Sequence, residues 1–324
     1  MINKIGHEYI KGQIRKIRAN KKGVAENKDI EYLHKVRVSS RKILSAIYLF
    51  REYFKKDGFL TWEKMVLQLA KSLGKPRDLD VHIEFLEKFM KEHPKQDVAA
   101  GVNRIKVRMR QKREKYGEAT IGSINEFLAA TKSNPLEKVF ETKFSTEPNV
   151  KEEITGLIEI KLSRIKMYEP YIYNIHNIEE LHELRKANKL LRYALEVFNP
   201  YYENKLLPFI NEITHVQDKV GLIHDCDIWF EILPDFIAEE KNKTIKFYGE
   251  VSPFYDIEPG IRYFEDTLKQ IREEMYHTFI KEWNELNARN FVPDLLAILR
   301  GEEKEEISKE ENNLLDGNNS FLSV

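Results

Sequence analysis

Two stretches of the chain carry residues suited to gripping a polyanion. One runs Leu33-His34-Lys35-Val36-Arg37-Val38-Ser39-Ser40-Arg41-Lys42, the other Leu181-His182-Glu183-Leu184-Arg185-Lys186-Ala187-Asn188-Lys189-Leu190-Leu191-Arg192-Tyr193. Each has a histidine, an arginine three residues on, and a further cation four residues after that. An arginine fork meets phosphate oxygens two at a time, and lysine adds a compact point charge. Histidine donates more strongly once protonated, so binding through it would tighten at mildly acid pH.

On a helix these offsets share one stripe. At roughly 100° per residue, Arg37 and Arg41 fall within about 60° of His34, and Lys42 within about 80°. Leu33, Val36, Ile43, Leu44 and Ile47 gather on another side. In the second stretch Arg185, Lys186, Lys189 and Tyr193 lie within about 60° of His182, with Arg192 just beyond. Leu181, Leu184, Leu191 and Leu195 lie opposite. Each stretch therefore reads as an amphipathic helix with a cationic rail. The plain reading of one such rail is a solvated face paired to acids of neighbouring helices. Two rails in one chain favour convergence on a shared groove.

A second motif also recurs. Leu73-Gly74-Lys75-Pro76-Arg77-Asp78-Leu79-Asp80-Val81 parallels Val220-Gly221-Leu222-Ile223-His224-Asp225-Cys226-Asp227-Ile228, and His34 precedes Gly74 by 40 residues where His182 precedes Gly221 by 39. Two motifs at nearly one spacing indicate an internal duplication of about 148 residues. The Asp-x-Asp pairs admit three readings: capping helix N-termini, pairing with the rails, or binding a divalent metal. His224-Asp225 is similar to the His-Asp pair of metal-dependent phosphohydrolases, but the first half has Arg77 at that place. No Gly-rich phosphate loop, His-Glu-x-x-His or Gly-x-Ser-x-Gly is present, so no cofactor is expected.

The elements that position these residues are helical, because 3.6-residue periodicity recurs and glycine and proline are sparse. We read helices over about Ile2 to Ala19, Asp29 to Tyr53 with Asp29 as cap, Phe59 to Leu73 ending at a C-cap Gly74, and onward from Pro76 through Lys91. Val98 to Lys115 is a basic helix with cations nearly all round, which fits a polyanion track and a solvated surface equally. Asn134-Pro135 and Glu147-Pro148-Asn149 mark a boundary. Helices then follow over Lys151 to Met167, Ile178 to Phe198, Tyr201 to Val220 ending at Gly221, Asp225 to Glu239, Ile261 to Asn287 and Phe291 to Leu299. Lys241 to Gly260 reads as irregular, with its aromatics from Phe247 to Tyr255 taken as packing. Tyr193 and Tyr48 either flank a rail or join the core. The predicted organisation is all-α: two helical-bundle halves, 1–147 and 148–300, related by a pseudo-twofold, and an acidic tail, 301–324.

The formal net charge of zero conceals clustering. Met1 to Lys22 holds seven Lys/Arg against one Glu, Val102 to Lys115 again seven against one, and Gly301 to Glu311 six Glu against two Lys. Neutrality overall therefore does not argue against an anionic partner. The single cysteine, Cys226, excludes an intramolecular disulfide and reads as a small buried hydrophobe. No apolar run reaches membrane-spanning length and no signal peptide is evident, so a cytoplasmic location is expected.

The combined motifs, His34-x-x-Arg37-Val38-x-x-Arg41-Lys42 and Leu181-His182-x-Leu184-Arg185-Lys186-x-x-Lys189-x-Leu191-Arg192-Tyr193-x-x-Glu196, with Gly74-x-x-Arg77-Asp78-x-Asp80 and Gly221-x-x-His224-Asp225-x-Asp227, resemble the CHAD domain family over about residues 1–300. The resemblance implies two helical bundles with internal symmetry around a basic central cavity. It also implies binding of inorganic polyphosphate, in some members with a link to polyphosphate granules. On it, His34, Arg37, Arg41, Lys42, His182, Arg185, Lys186, Lys189 and Arg192 map onto the family's cationic positions. The chain departs at Leu44, where the family often has another basic residue, which implies unequal rails. CHAD domains are often fused to a CYTH triphosphatase, whose Glu-x-Glu-x-Lys is missing: Glu159-x-Lys161 lacks the first Glu. The expectation is non-catalytic binding of polyphosphate or another polyanion, without a metal or a membrane. A nucleic-acid partner is disfavoured by the lack of a docking motif. The alternative is a metal-dependent phosphohydrolase using Asp78, Asp80, His224, Asp225 and Asp227.

Overall fold

The apolar stripes read from the sequence are the ones that pack. Leu33, Val36, Ile43 and Ile47, and Leu181, Leu184, Leu191 and Leu195, are all buried in the computed structural model. The structure describes residues 2–27, 29–140 and 149–302. Burying such a side chain contributes about 1.5–3 kcal/mol, so these stripes anchor both rail helices with their cations on the other side.

Among the described residues there are twelve α-helices: α1 (Ile2–Ala25), α2 (Ile30–Leu49), α3 (Lys56–Ser72), α4 (Gly74–Glu92), α5 (Gln96–Glu114), α6 (Gly117–Ser133), α7 (Leu136–Val139), α8 (Val150–Tyr168), α9 (Ile178–Phe198), α10 (Leu207–Tyr248), α11 (Glu258–Ala288) and α12 (Phe291–Arg300). They include no strand, and one isolated antiparallel bridge joins Phe54 to Phe140. The fold is thus all-α, as periodicity predicts. No helix among the described residues is long and apolar enough to cross a membrane. The Asp29 side chain caps α2 by accepting from the Glu31 amide at 2.9 Å.

Of the two glycines taken as helix stops, Gly74 does follow the end of a helix and Gly221 does not. Gly74 opens α4 directly after α3, whose C-cap is Leu73. Gly221 lies inside α10, a single helix of 42 residues that continues through Pro234 to Tyr248. Neither glycine has a positive φ, so neither makes the left-handed cap. A Cβ at Gly221 would stand 4.0 Å from Nε of Arg185. That is ordinary van der Waals distance, so the approach of the guanidinium does not require a glycine there. The irregular stretch begins only at Gly249, which caps α10 with φ 81°.

Two apolar cores result. The larger joins α1–α3 and α6 to α8, α9, α12, the first part of α10 and the last part of α11. The smaller joins α4 and α5 to the second part of α10 and the first part of α11, and includes Cys226, fully buried as predicted. Each core draws residues from both sides of the boundary read at 147/148. That boundary itself, and the acidic tail from residue 303, lie outside the described residues.

Candidate functional site

α2 and α9 pack against each other, and their rails meet. Glu196 of α9 pairs with Lys42 across the interface and with Arg192 on its own helix at 3.5 Å. Tyr193, 4% exposed, has the Lys42 ammonium 5.6 Å, the Lys189 ammonium 5.9 Å and the Arg192 guanidinium 5.1 Å from its ring centre. A ring face attracts a cation by about 0.5–2 kcal/mol. One buried tyrosine thus gathers cations of both helices, so it belongs to core and rail at once. Tyr48 does neither: it is largely exposed and donates to Glu63.

Lys189 marks the meeting point. Burial first, then the guanidiniums of Arg41, Arg185, Arg37 and Arg192, push its pKa down to about 7. Two of those arginines come from α2 and two from α9. Arg185 is likewise half-buried, and its pKa is lowered by that desolvation, held up by Asp225, and lowered again by Arg41. The structure therefore brings Arg37, Arg41, Arg185, Lys189 and Arg192 into one cluster, with Lys42 tied in through Glu196. Lys186 stands at its edge, exposed and engaged by Glu183 at 2.6 Å.

Of the three readings of the Asp-x-Asp pairs, pairing with the rails fits the inner aspartates, and the outer ones pair with arginines elsewhere. Asp78 takes Arg37 at 3.0 Å. Asp225 lies beside Arg185: burial pushes its carboxyl pKa up, Arg185 opposes this, and Asp78 adds to it. The inner aspartates thus face the cluster from α4 and α10 together. The outer ones tie the neighbouring helices. Asp80 accepts from Arg113 Nε at 2.7 Å, and Asp227 pairs with Arg272, whose Nη2 also donates to the Ile175 carbonyl at 3.1 Å. None caps a helix N-terminus, since Asp78 and Asp80 lie inside α4 and Asp225 and Asp227 in the middle of α10. Among the described residues no group of three or more His, Cys, Asp or Glu is placed to hold a metal ion.

The histidines sit where each rail begins. Burial lowers the His34 pKa, and Arg77 of α4 lowers it further. His182 Nδ1 lies 3.0 Å from His224 Nδ1, so one ring donates and the other accepts. Burial, then Arg185, His182 and Lys186, push His224 down to about 3. The His182 pKa is also lowered, first by burial. Arg77 and His224, equivalent in the repeated motif, thus face equivalent histidines.

Arg77, Asp78, His224, Asp225, Tyr193 and Glu196 are outside the polyphosphate-binding set expected from the sequence, and Asp78, His224 and Asp225 have a site role there only in the phosphohydrolase alternative, yet all border the cluster. Their signal was present in the repeated motifs; their role depended on which helix they face. Three guanidinium N–H groups, Arg37 Nε, Arg77 Nη1 and Arg192 Nε, are buried with no acceptor. The basic helix read at Val98 to Lys115 goes the other way: Arg108 donates to Glu240 at 2.6 Å, Arg113 to Asp80, and Arg110 to Glu87. Of the aromatics taken as packing between Phe247 and Tyr255, Phe254 is buried, but Phe247, Tyr248 and Tyr255 are exposed.

A sequence profile of the CHAD domain matches residues 8–234, more than half of the chain. No curated protein sequence matches. Among solved structures, the chain is similar to the CHAD domain from the plant Ricinus communis, with TM-score 0.58 and 16% identity over 93% of this chain and 92% of that one. It is also similar to PptA from Streptomyces chartreusis, with TM-score 0.64 and 11% identity over 87% of this chain and 99% of that one. At these identities the two structures share the fold.

Proposed function

The chain belongs to the CHAD domain family, and from that premise we propose that it binds inorganic polyphosphate non-covalently, without catalysis, in the cation cluster between α2 and α9. The observation that carries this reading is Lys189 held among four arginines from two helices. Like charges so crowded repel unless a polyanion neutralises them. The buried donors Arg37 Nε, Arg77 Nη1 and Arg192 Nε each cost about 1–3 kcal/mol while unpaired, and phosphate oxygens would remove that cost.

In this reading His34, Arg37, Arg41, Lys42, His182, Arg185, Lys189 and Arg192 line a basic central cavity, with Lys186 at its rim. Asp78, Asp225 and Glu196 hold the forks in place while leaving positive charge in excess. Element order supports the duplication. α1 and α2 correspond to α8 and α9, α3 and α4 to the two parts of the unbroken α10, and α5 and α6 to α11. The two halves then interlock through shared cores rather than standing apart. The phosphohydrolase alternative draws less support, because Asp80 and Asp227 are engaged by Arg113 and Arg272 and His224 by His182.

The test is a titration of long-chain polyphosphate, single-stranded RNA and pyrophosphate at two salt concentrations. Polyphosphate should bind tightest, with affinity falling as salt rises, as for other polyanion complexes. The proposal fails if RNA binds as well, or if reversing both Arg37→Glu and Arg185→Glu leaves polyphosphate affinity unchanged. Metal-dependent phosphate release lost in Asp225→Ala would favour the hydrolase.

A further inference from the structure

Beside the cluster, a groove of about 400 Å³ runs between α1 and α2. His34 and Lys42 line its inner side, and Gln13, Lys16, Asn20 and Lys35 carry it outward. Three lysines line it against one carboxylate, Glu31. Lys16 and Lys35 are exposed, and among the described residues no ion pair engages either. Lys35 lies over the Tyr32 ring at 5.9 Å. Two of its lining residues, His34 and Lys42, are thus shared with the rail.

The corresponding face of the second half has its cations partly engaged by an acid of its own. Arg164 stands where Lys16 stands and Glu183 where Lys35 stands, at the 148-residue offset of the two histidines. Glu183 accepts from Lys186 at 2.6 Å and pairs with Arg164 at 3.5 Å. The hydrogen bond from Lys186, foremost, holds the Glu183 carboxyl below its usual range. One acid thus engages two cations on that side, while on the α1/α2 side Lys16 and Lys35 have no ion pair among the described residues and Lys42 alone is paired, to Glu196.

We propose that the α1/α2 groove is a second, one-sided phosphate-binding track, through which a long polyphosphate chain leaves the central cluster past Lys42, Lys35 and Lys16. This rests on the polyphosphate reading above and adds direction to it. A short oligophosphate is held by the cluster alone. A long chain also occupies the groove, and the half that carries Glu183 offers it no equal exit.

The experiment measures binding of tripolyphosphate and long-chain polyphosphate across a salt series. It compares the full chain with Lys16→Glu/Lys35→Glu and with Glu183→Lys. Both lysines are exposed, so the double variant retains its fold. It should weaken long-chain binding by about tenfold or more, with the slope of log affinity on log salt falling by about two, while tripolyphosphate binding stays within about twofold. Glu183→Lys should strengthen long-chain binding and leave tripolyphosphate unaffected. The track is refuted if long-chain affinity and slope survive the double reversal, or if tripolyphosphate weakens in parallel, which would put both lysines in the central site. A wild-type chain that binds neither phosphate would instead sink the underlying reading.

Discussion

Along α5, cations have found carboxylates. Glu240, 2% exposed, accepts from Arg108 at 2.6 and 3.1 Å and from Lys243 at 3.1 Å, with Arg104 at 3.9 Å. Arg113 has Asp80, Arg110 has Glu87 and Lys112 has Glu239. Between α2 and α9 the balance differs. Arg37, Arg41, Arg185, Lys189 and Arg192 share Asp78, Asp225 and Glu196, and Lys42 claims part of Glu196 as well. Both regions are rich in basic residues, so basic density does not mark a site. What marks it is a shortage of acids around cations that are already desolvated. The α5 network holds helices together, whereas the α2/α9 cluster is stabilised by what it binds.

The comparison breaks most readily by charge reversal. Arg185→Glu should weaken polyphosphate binding by about 100-fold, since it removes a half-buried fork and adds repulsion. Arg108→Glu should leave binding within about twofold while lowering the melting temperature, because it leaves Glu240 facing another acid. Equal losses of binding in both variants, read by titration at fixed salt, would erase the distinction. The converse change is Glu240→Gln, which leaves Arg104, Arg108 and Lys243 without their shared buried charge. It should cost about 3 kcal/mol of unfolding free energy in a denaturant titration and not move polyphosphate affinity.

Lys189→Met sharpens the contrast further, because stability and binding should move in opposite directions. Replacing a half-buried, crowded ammonium by an apolar chain of similar shape should raise stability by about 1–2 kcal/mol. The same change should weaken polyphosphate binding by about tenfold. Lys189→Met lowering both would mean that Lys189 supports the fold as Glu240 does.

The helices were legible because periodicity is a local property. Leu33, Val36 and Ile43, or Leu181, Leu184 and Leu191, name their buried face without reference to any partner. Gly221 was misread for the complementary reason. A glycine after a helical run signals a cap, but α10 runs on through Gly221 because the residues beyond it continue the helix and pack in the second core. The rails were legible as charge at helical spacing. Their difference from α5 was not, because neutralisation is non-local: Arg108 and Glu240 lie 132 residues apart in sequence. Arg77 was hidden in the same way. Its motif position is visible, but its burial between His34 and Arg37 belongs to the packing of α4 on α2.

The smallest effect expected is also the most diagnostic, since pH should act on the two regions in different windows. In the free protein Lys189 releases its proton near pH 7, whereas unfolded it would hold it to about 10.5. The folded chain therefore binds fewer protons than the unfolded one between those values, and this residue's contribution to stability rises with pH across that window. Bound polyphosphate restores the Lys189 proton, so binding takes up a proton above pH 7. Affinity should then fall by about fivefold between about pH 6.5 and 8. The lowered pKa values of His34, His182 and His224 extend the same trend to more acid pH, each ring gaining charge beside the ligand. Glu240 acts in a separate, more acid window and has no part in the affinity. Burial opposes its charge, but hydrogen bonds from Arg108 and Lys243 prevail and lower its pKa, so its stabilisation is present at neutral pH and lost only as pH falls below its unfolded value. Lys189→Arg, charged throughout, should flatten the affinity profile above pH 7 without touching the acid unfolding limb. A wild-type affinity that does not change from pH 6.5 to 8 would mean that the ligand never meets Lys189, and that the crowding of arginines around it serves something other than binding.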